Sequence, residues 1–191
     1  MSRHFVTRLR ARCRAHGFTL VELMITIAVA AILAMIAVPS FHRLILSNRL
    51  TTAANAITNS INLARLDAIK LNATTQFCGN TTTTNTTDTL GGACGTQAGA
   101  VYSLPQSAAT AGEVRAATPG IDAPIQIASS GVKAVRFSGQ GFGYAPATPN
   151  TPYTGTVAVI CTSQLASDNQ RIVRMTGGSI LATASSTGAC P

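Results

Sequence analysis

Residues 18–38 read FTLVELMITIAVAAILAMIAV, twenty-one positions with one ionisable side chain, Glu22, and otherwise apolar apart from Thr19 and Thr26. As a helix this run is roughly 30 Å long, enough to cross the hydrocarbon core of a bilayer. The stretch before it, MSRHFVTRLRARCRAHG, holds Arg3, Arg8, Arg10, Arg12 and Arg14 and no acid, whereas only Arg43 and Arg49 follow the run closely. Basic residues concentrated on one side of a span hold that side in the cytoplasm, so the N-terminus stays inside and the rest of the chain is exported.

A secretory signal also has a basic region and an apolar region, but its apolar part spans about 7 to 15 residues and ends at a small-residue cleavage site. Here the run is longer and leads into Pro39, Ser40, Phe41 and His42, with no A-x-A site. Glu22 is the second departure. A carboxylate near the centre of a bilayer costs on the order of 3 kcal/mol on insertion scales, so it needs a compensating role.

The segment GFTLVELMITIAVAAILAMIAVPSF, residues 17–41, closely resembles the N-terminus of type IV pilins and type II secretion pseudopilins. The resemblance implies a leader, residues 1–17, that a prepilin peptidase removes between Gly17 and Phe18, N-methylation of the new Phe18 terminus, Glu22 as the fifth mature residue, and Pro39 kinking the helix. The spacing explains why a Glu belongs there. Glu22 lies four residues, one helical turn, from the amine that cleavage creates on Phe18, and its carboxylate can reach that amine or a neighbouring subunit's. It also sits in the first turn, where the helix dipole favours negative charge. Mutual neutralisation makes the pair less costly in lipid than either charge alone. In the family this pairing sets the subunit's register during assembly.

Beyond Pro39 the helix is predicted to continue over residues 39–72. Leu46, Leu50, Ala53, Ile57, Ile61, Ala64, Ala68 and Leu71 recur at spacings of three and four, while Thr51, Asn55, Thr58, Asn62 and Arg65 fall elsewhere on the helix. Such a stripe must pack on something, and Asn72 to Thr75 would end the helix. From residue 73 the texture turns to Gly, Thr, Ser and Pro with short β-branched runs. Six strands are predicted, at 101–104, 125–128, 132–137, 156–161, 171–176 and 179–183. TTTTNTT (81–87) and PATPNTP (146–152) read as exposed loops. Gly139, Gly141 and Gly143 in GQGFG precede no helix, so they mark a glycine-rich turn and not a dinucleotide fingerprint. The fold class is thus α+β and pilin-like: a long N-terminal helix, its first half (18–38) transmembrane and its second half (39–72) amphipathic, packed on a small antiparallel β-sheet domain over 73–191.

Cys13 leaves with the leader, so the mature chain has four cysteines: Cys78, Cys94, Cys161 and Cys190. Three pairings are available and spacing alone does not choose; local closure favours Cys78 with Cys94 and Cys161 with Cys190. An oxidising periplasm suits disulfides, and no C-x-x-C or nearby His supports a metal site.

LARLDAIKLNATTQFC (63–78), VRFSGQGFG and the Cys-linked C-terminal hairpin resemble the GspH/FimT branch of minor pilins and pseudopilins. That resemblance implies a structural subunit of the inner membrane, with its C-terminal domain in the periplasm, assembled with other pilins or pseudopilins into a type IV pilus or a type II secretion pseudopilus. Some members bind DNA in natural transformation through a C-terminal Gly-Arg-x-Arg, which is the alternative function. The equivalent stretch here is Gly178, Ser179, Ile180, Leu181, without either arginine. The nearest basic pair, Arg171 and Arg174, is three residues apart and points to opposite faces of a regular strand, so the two read as solvated strand-edge charges.

The charge balance agrees. The formal +8 would by itself suggest nucleic acid or an anionic surface, yet only 10% of residues are charged. Removing the leader arginines leaves nine basic against six acidic side chains, and beyond residue 72 five against four, a poor phosphate-binding surface. The mature chain keeps one histidine, His42, expected at the lipid headgroups, and no Ser/His/Asp set or paired carboxylates, so neither an enzyme nor a cofactor is predicted.

Overall fold

The computed structural model describes residues 17–118 and 121–191. Its elements are α1 (Leu20–Leu71), β1 (Thr74–Phe77), α2 (Thr82–Asn85), α3 (Thr89–Cys94), β2 (Val101–Leu104), β3 (Gly112–Arg115), β4 (Gln126–Val132), β5 (Val135–Phe137), β6 (Gly143–Tyr144), β7 (Gly155–Cys161), β8 (Gln170–Thr176) and β9 (Ile180–Ser186). The chain divides into two compact units at Phe41/His42.

The N-terminal unit contributes the first part of α1, whose apolar side chains are exposed along almost all of its length. By length and composition this helix qualifies as a membrane span. Its assignment runs through Pro39, which lacks the N–H that would bond the Met35 carbonyl.

In the unit His42–Pro191 the apolar stripe becomes a packed face. Leu46, Leu50, Ala53, Ala54, Ile57, Ile61, Ala64 and Ala68 are buried, and they share one core with Phe77, Val101, Val135, Phe137, Val157, Ile160, Val173 and Met175 from both sheets. Leu71, expected to end the stripe, is instead half exposed. The helix stops one residue later because Asn72 adopts φ 44°; its N–H bonds the Ile69 carbonyl at 3.3 Å and the Ala73 N–H bonds that of Ala68 at 3.0 Å. This 6→1 and 5→2 pair is the Schellman termination, and it turns the chain directly into β1.

Two antiparallel sheets follow, in the order β3-β2-β1-β5-β6 and β4-β7-β8-β9. The stretch 132–137 expected as one strand is two. Val132 closes β4 against Ala158, Val135 opens β5 against Phe77, and the chain changes sheets at Lys133–Ala134. Asn80 supports the crossing: its side-chain oxygen accepts the Val132 N–H at 2.9 Å. β1, β3 and β6 lie outside the six predicted strands.

The Thr-rich stretch 81–87 also departs from the exposed loop predicted for it. Thr81 caps α2 by accepting the Thr84 N–H at 3.3 Å, and Asn85 is fully buried. The Asn85 amide accepts from Gly79 N at 2.7 Å and donates to the carbonyls of Gly79 and Gly95 at 3.1 and 2.9 Å. A buried amide with both of its polar atoms hydrogen-bonded fixes a loop that composition alone would leave loose.

Candidate functional site

The helix start is built by Thr19, whose hydroxyl accepts the Glu22 backbone N–H at 3.2 Å. Thr19 and Glu22 thus hold the N-cap and N3 positions of a T-x-x-E capping pattern, which the sequence reading passed over. The Glu22 side chain is exposed, and no cationic side chain among the described residues pairs with it. Phe18 is likewise exposed. At Gly17 an added Cβ would meet no heavy atom of the described residues within 4 Å. The leader arginines and Cys13 lie outside the described residues.

The four mature cysteines form two disulfides. Cys78 joins Cys94 with Cα atoms 5.4 Å apart, and Cys161 joins Cys190 at 5.7 Å. The first closes the loop that holds α2 and α3; the second ties the C-terminus to β7. Beside the first loop, Asp88 caps α3 by accepting the Gly91 N–H at 2.9 Å and receives Arg136 in a two-pronged pair at 2.6 and 2.9 Å. The Arg136 guanidinium also donates to the Gln76 side-chain oxygen. Hydrogen bonding from Arg136, with help from the Gly91 N–H, lowers the Asp88 pKa to about 2.

Arg171 and Arg174 fall on opposite faces of β8, and the inward one is not the solvated charge expected of it. Arg171 is 8% exposed. Its Nη2 donates to Ser47 Oγ at 2.8 Å, its Nε to Thr51 Oγ1 at 3.2 Å, and its Nη1 to the carbonyls of Asp168 and Gln170 at 2.9 and 3.0 Å. All its acceptors are neutral and lie within the protein, so Arg171 is withdrawn from any phosphate contact. Arg174 is exposed. Gly178 and Ser179 form the turn before β9, which begins at Ile180. No group of three or more His, Cys, Asp or Glu side chains arranged to hold a metal occurs among the described residues.

Residues 12–38 match the prokaryotic N-terminal methylation motif, and residues 53–179 match the family of the type II transport protein GspH. Among solved structures, the type IV minor pilin FimU of Pseudomonas aeruginosa strain PAO1 is similar at 16% identity, with 72% of this chain and 89% of that chain covered and a TM-score of 0.47. Comparison with curated protein sequences gives no match.

Proposed function

The chain belongs to the family of the type II transport protein GspH, pilin-type structural subunits and not enzymes, and from that premise we propose that it is a minor pilin or pseudopilin drawn from the inner membrane into a type IV pilus or a type II secretion pseudopilus. In this reading residues 18–38 hold the precursor in the bilayer with its five leader arginines in the cytoplasm and the domain from residue 73 onward in the periplasm. Prepilin peptidase cuts between Gly17 and Phe18 and methylates the Phe18 amine. Glu22 then finds that amine, or a neighbour's, and sets the depth at which the helix docks. Extraction exchanges lipid around the apolar helix for the helices of other pilins.

The observation that carries this reading is the glycine at 17. It stands immediately before a helix headed by an exposed carboxylate, inside the stretch 12–38 that matches the N-terminal methylation motif. Intact-mass measurement of the chain recovered from membranes tests it: the proposal requires a species that begins at N-methylated Phe18. DNA binding is not favoured, because burial of Arg171 leaves Arg174 as the lone member of that pair facing solvent.

A further inference from the structure

A groove of about 490 Å³ opens beside the first turns of the packed half of the helix. Its helical wall is Ile45, Asn48, Arg49 and Thr52, spaced i, i+3, i+4 and i+7 and therefore on one face of α1. The opposite wall is the turn from Asp122 to Ile125, closed by the Ile125 N–H donating to the Asp122 carbonyl at 2.9 Å. Ala53 and Ile125, both buried, supply apolar lining. A volume of this size lies within the range of small-molecule sites, about 300 to 1,000 Å³.

Two opposite charges share the groove without pairing. Among the described residues the one ion pair is Asp88–Arg136, so the Arg49 guanidinium and the Asp122 carboxylate make no direct bridge. A simple anion would satisfy Arg49 and be repelled by Asp122, and a simple cation would meet the reverse. A zwitterion with its two charges a few bonds apart satisfies both. Beside Arg49, the Asn48 amide and the Thr52 hydroxyl add donors suited to phosphate oxygens. Among the described residues no aromatic side chain lines the groove. Quaternary ammonium groups are held on aromatic faces, whereas a primary ammonium donates hydrogen bonds to a carboxylate such as that of Asp122.

What flanks the groove in sequence points to the source of such a zwitterion. Ile45 follows Val38, the last residue of the apolar run, by only seven positions, and Phe41, Leu44 and Ile45 are exposed with Arg43 among them. Exposed apolar side chains interleaved with arginine suit a bilayer–water boundary, where the apolar groups enter the acyl edge and the guanidinium reaches the phosphates. After Glu22 the next acid in the chain is Asp67, so no carboxylate on the intervening helix repels those phosphates.

We propose that the groove holds the phosphoethanolamine headgroup of a bilayer phospholipid, with its phosphate at Arg49, Asn48 and Thr52, its ammonium at Asp122 and its glycerol end against Ile45. This rests on the reading of residues 18–38 as a membrane span and adds a lipid contact made by the unit His42–Pro191, one that the subunit must release when it leaves the bilayer. The test uses the full-length chain in phosphatidylcholine vesicles doped with a photoactivatable phospholipid. Its diazirine sits on the acyl chain next to the glycerol, and its headgroup is phosphoethanolamine, phosphocholine or phosphoglycerol. The phosphoethanolamine probe should label residues 45–53 or 121–125 about three- to fivefold above the other two, the margin that an exposed ion pair supports. Asp122→Asn should bring the three probes level, and Arg49→Gln should lower labelling by all three. Equal labelling of the wild-type chain by the three probes, strongest labelling by phosphoglycerol, a preference mapped to other residues, or an undiminished preference in Asp122→Asn overturns the headgroup site and leaves the span standing. Chain that fails to float with the vesicles overturns both.

Discussion

Nη2 of Arg171 donates to Oγ of Ser47 at 2.8 Å, joining β8 to α1 across 124 positions of sequence. Thr51, one turn further along the helix, takes Nε of the same guanidinium. The planar fork therefore grips two successive turns of one helix face while its remaining donor is held by the carbonyls before it in the chain. The guanidinium thereby ties the second sheet to the packed half of the helix.

Arg171→Ala leaves those carbonyls and hydroxyls without their donor and opens a space in the core. The unit His42–Pro191 should lose about 2 to 3 kcal/mol of stability, whereas Arg174→Ala on the solvent face should change it by about 0.5 kcal/mol or less. Denaturant unfolding of the two variants measures the difference. Equal effects would mean that Arg171 is not a clamp.

The Asp88–Arg136 pair predicts an acid-sensitive contribution. A carboxylate whose pKa is lowered to about 2 on folding stabilises the folded state fully above its unfolded pKa of 3.8, and that contribution fades as pH falls from about 4 towards 2. Because the Asp88 side chain is half exposed, the amount is limited to about 1 kcal/mol. Asp88→Asn should flatten this part of the stability profile, which unfolding midpoints collected across the window would show.

Each disulfide closes a loop, of sequence separation 16 for Cys78–Cys94 and 29 for Cys161–Cys190. On the chain-entropy account each contributes about 3 kcal/mol, slightly more for the longer. Replacing either pair by alanines should lower the thermal midpoint by a comparable number of degrees, and replacing both should act nearly additively because the bridges constrain separate loops. A shift confined to one pair would contradict the loop argument.

What could be read in advance was what is encoded locally. Helical periodicity marks the buried face from Leu46 to Ala68, and the residues proposed for cleavage and register, Gly17, Phe18 and Glu22, sit within six positions of one another. The features that escaped depend on distant partners. β1 reads TTQF, weak as a strand, and its central Gln76 is fully buried because Asn85 and Arg136 meet its polar atoms, the latter from 60 residues away. Arg171 looked like a surface charge for the same reason. Nothing near it in sequence announces Ser47 and Thr51. The stretch 132–137 lacks a breaker, and only the competing partners Ala158 and Phe77 divide it between sheets.

Gly17→Leu should leave unfolding of the unit His42–Pro191 unchanged, since residue 17 lies outside that unit. It should nevertheless block processing, seen on a denaturing gel as loss of the faster-migrating mature band. A precursor that is still cut would contradict the cleavage role proposed for Gly17.

The most direct measurement is the fraction of processed chain recovered in sheared filaments or pseudopili, compared between the wild-type sequence and Glu22→Ala. The account predicts that both are cleaved to the same extent, that the wild-type chain is recovered with filaments, and that Glu22→Ala remains in the membrane fraction. Recovery of Glu22→Ala with filaments at the wild-type level would contradict it.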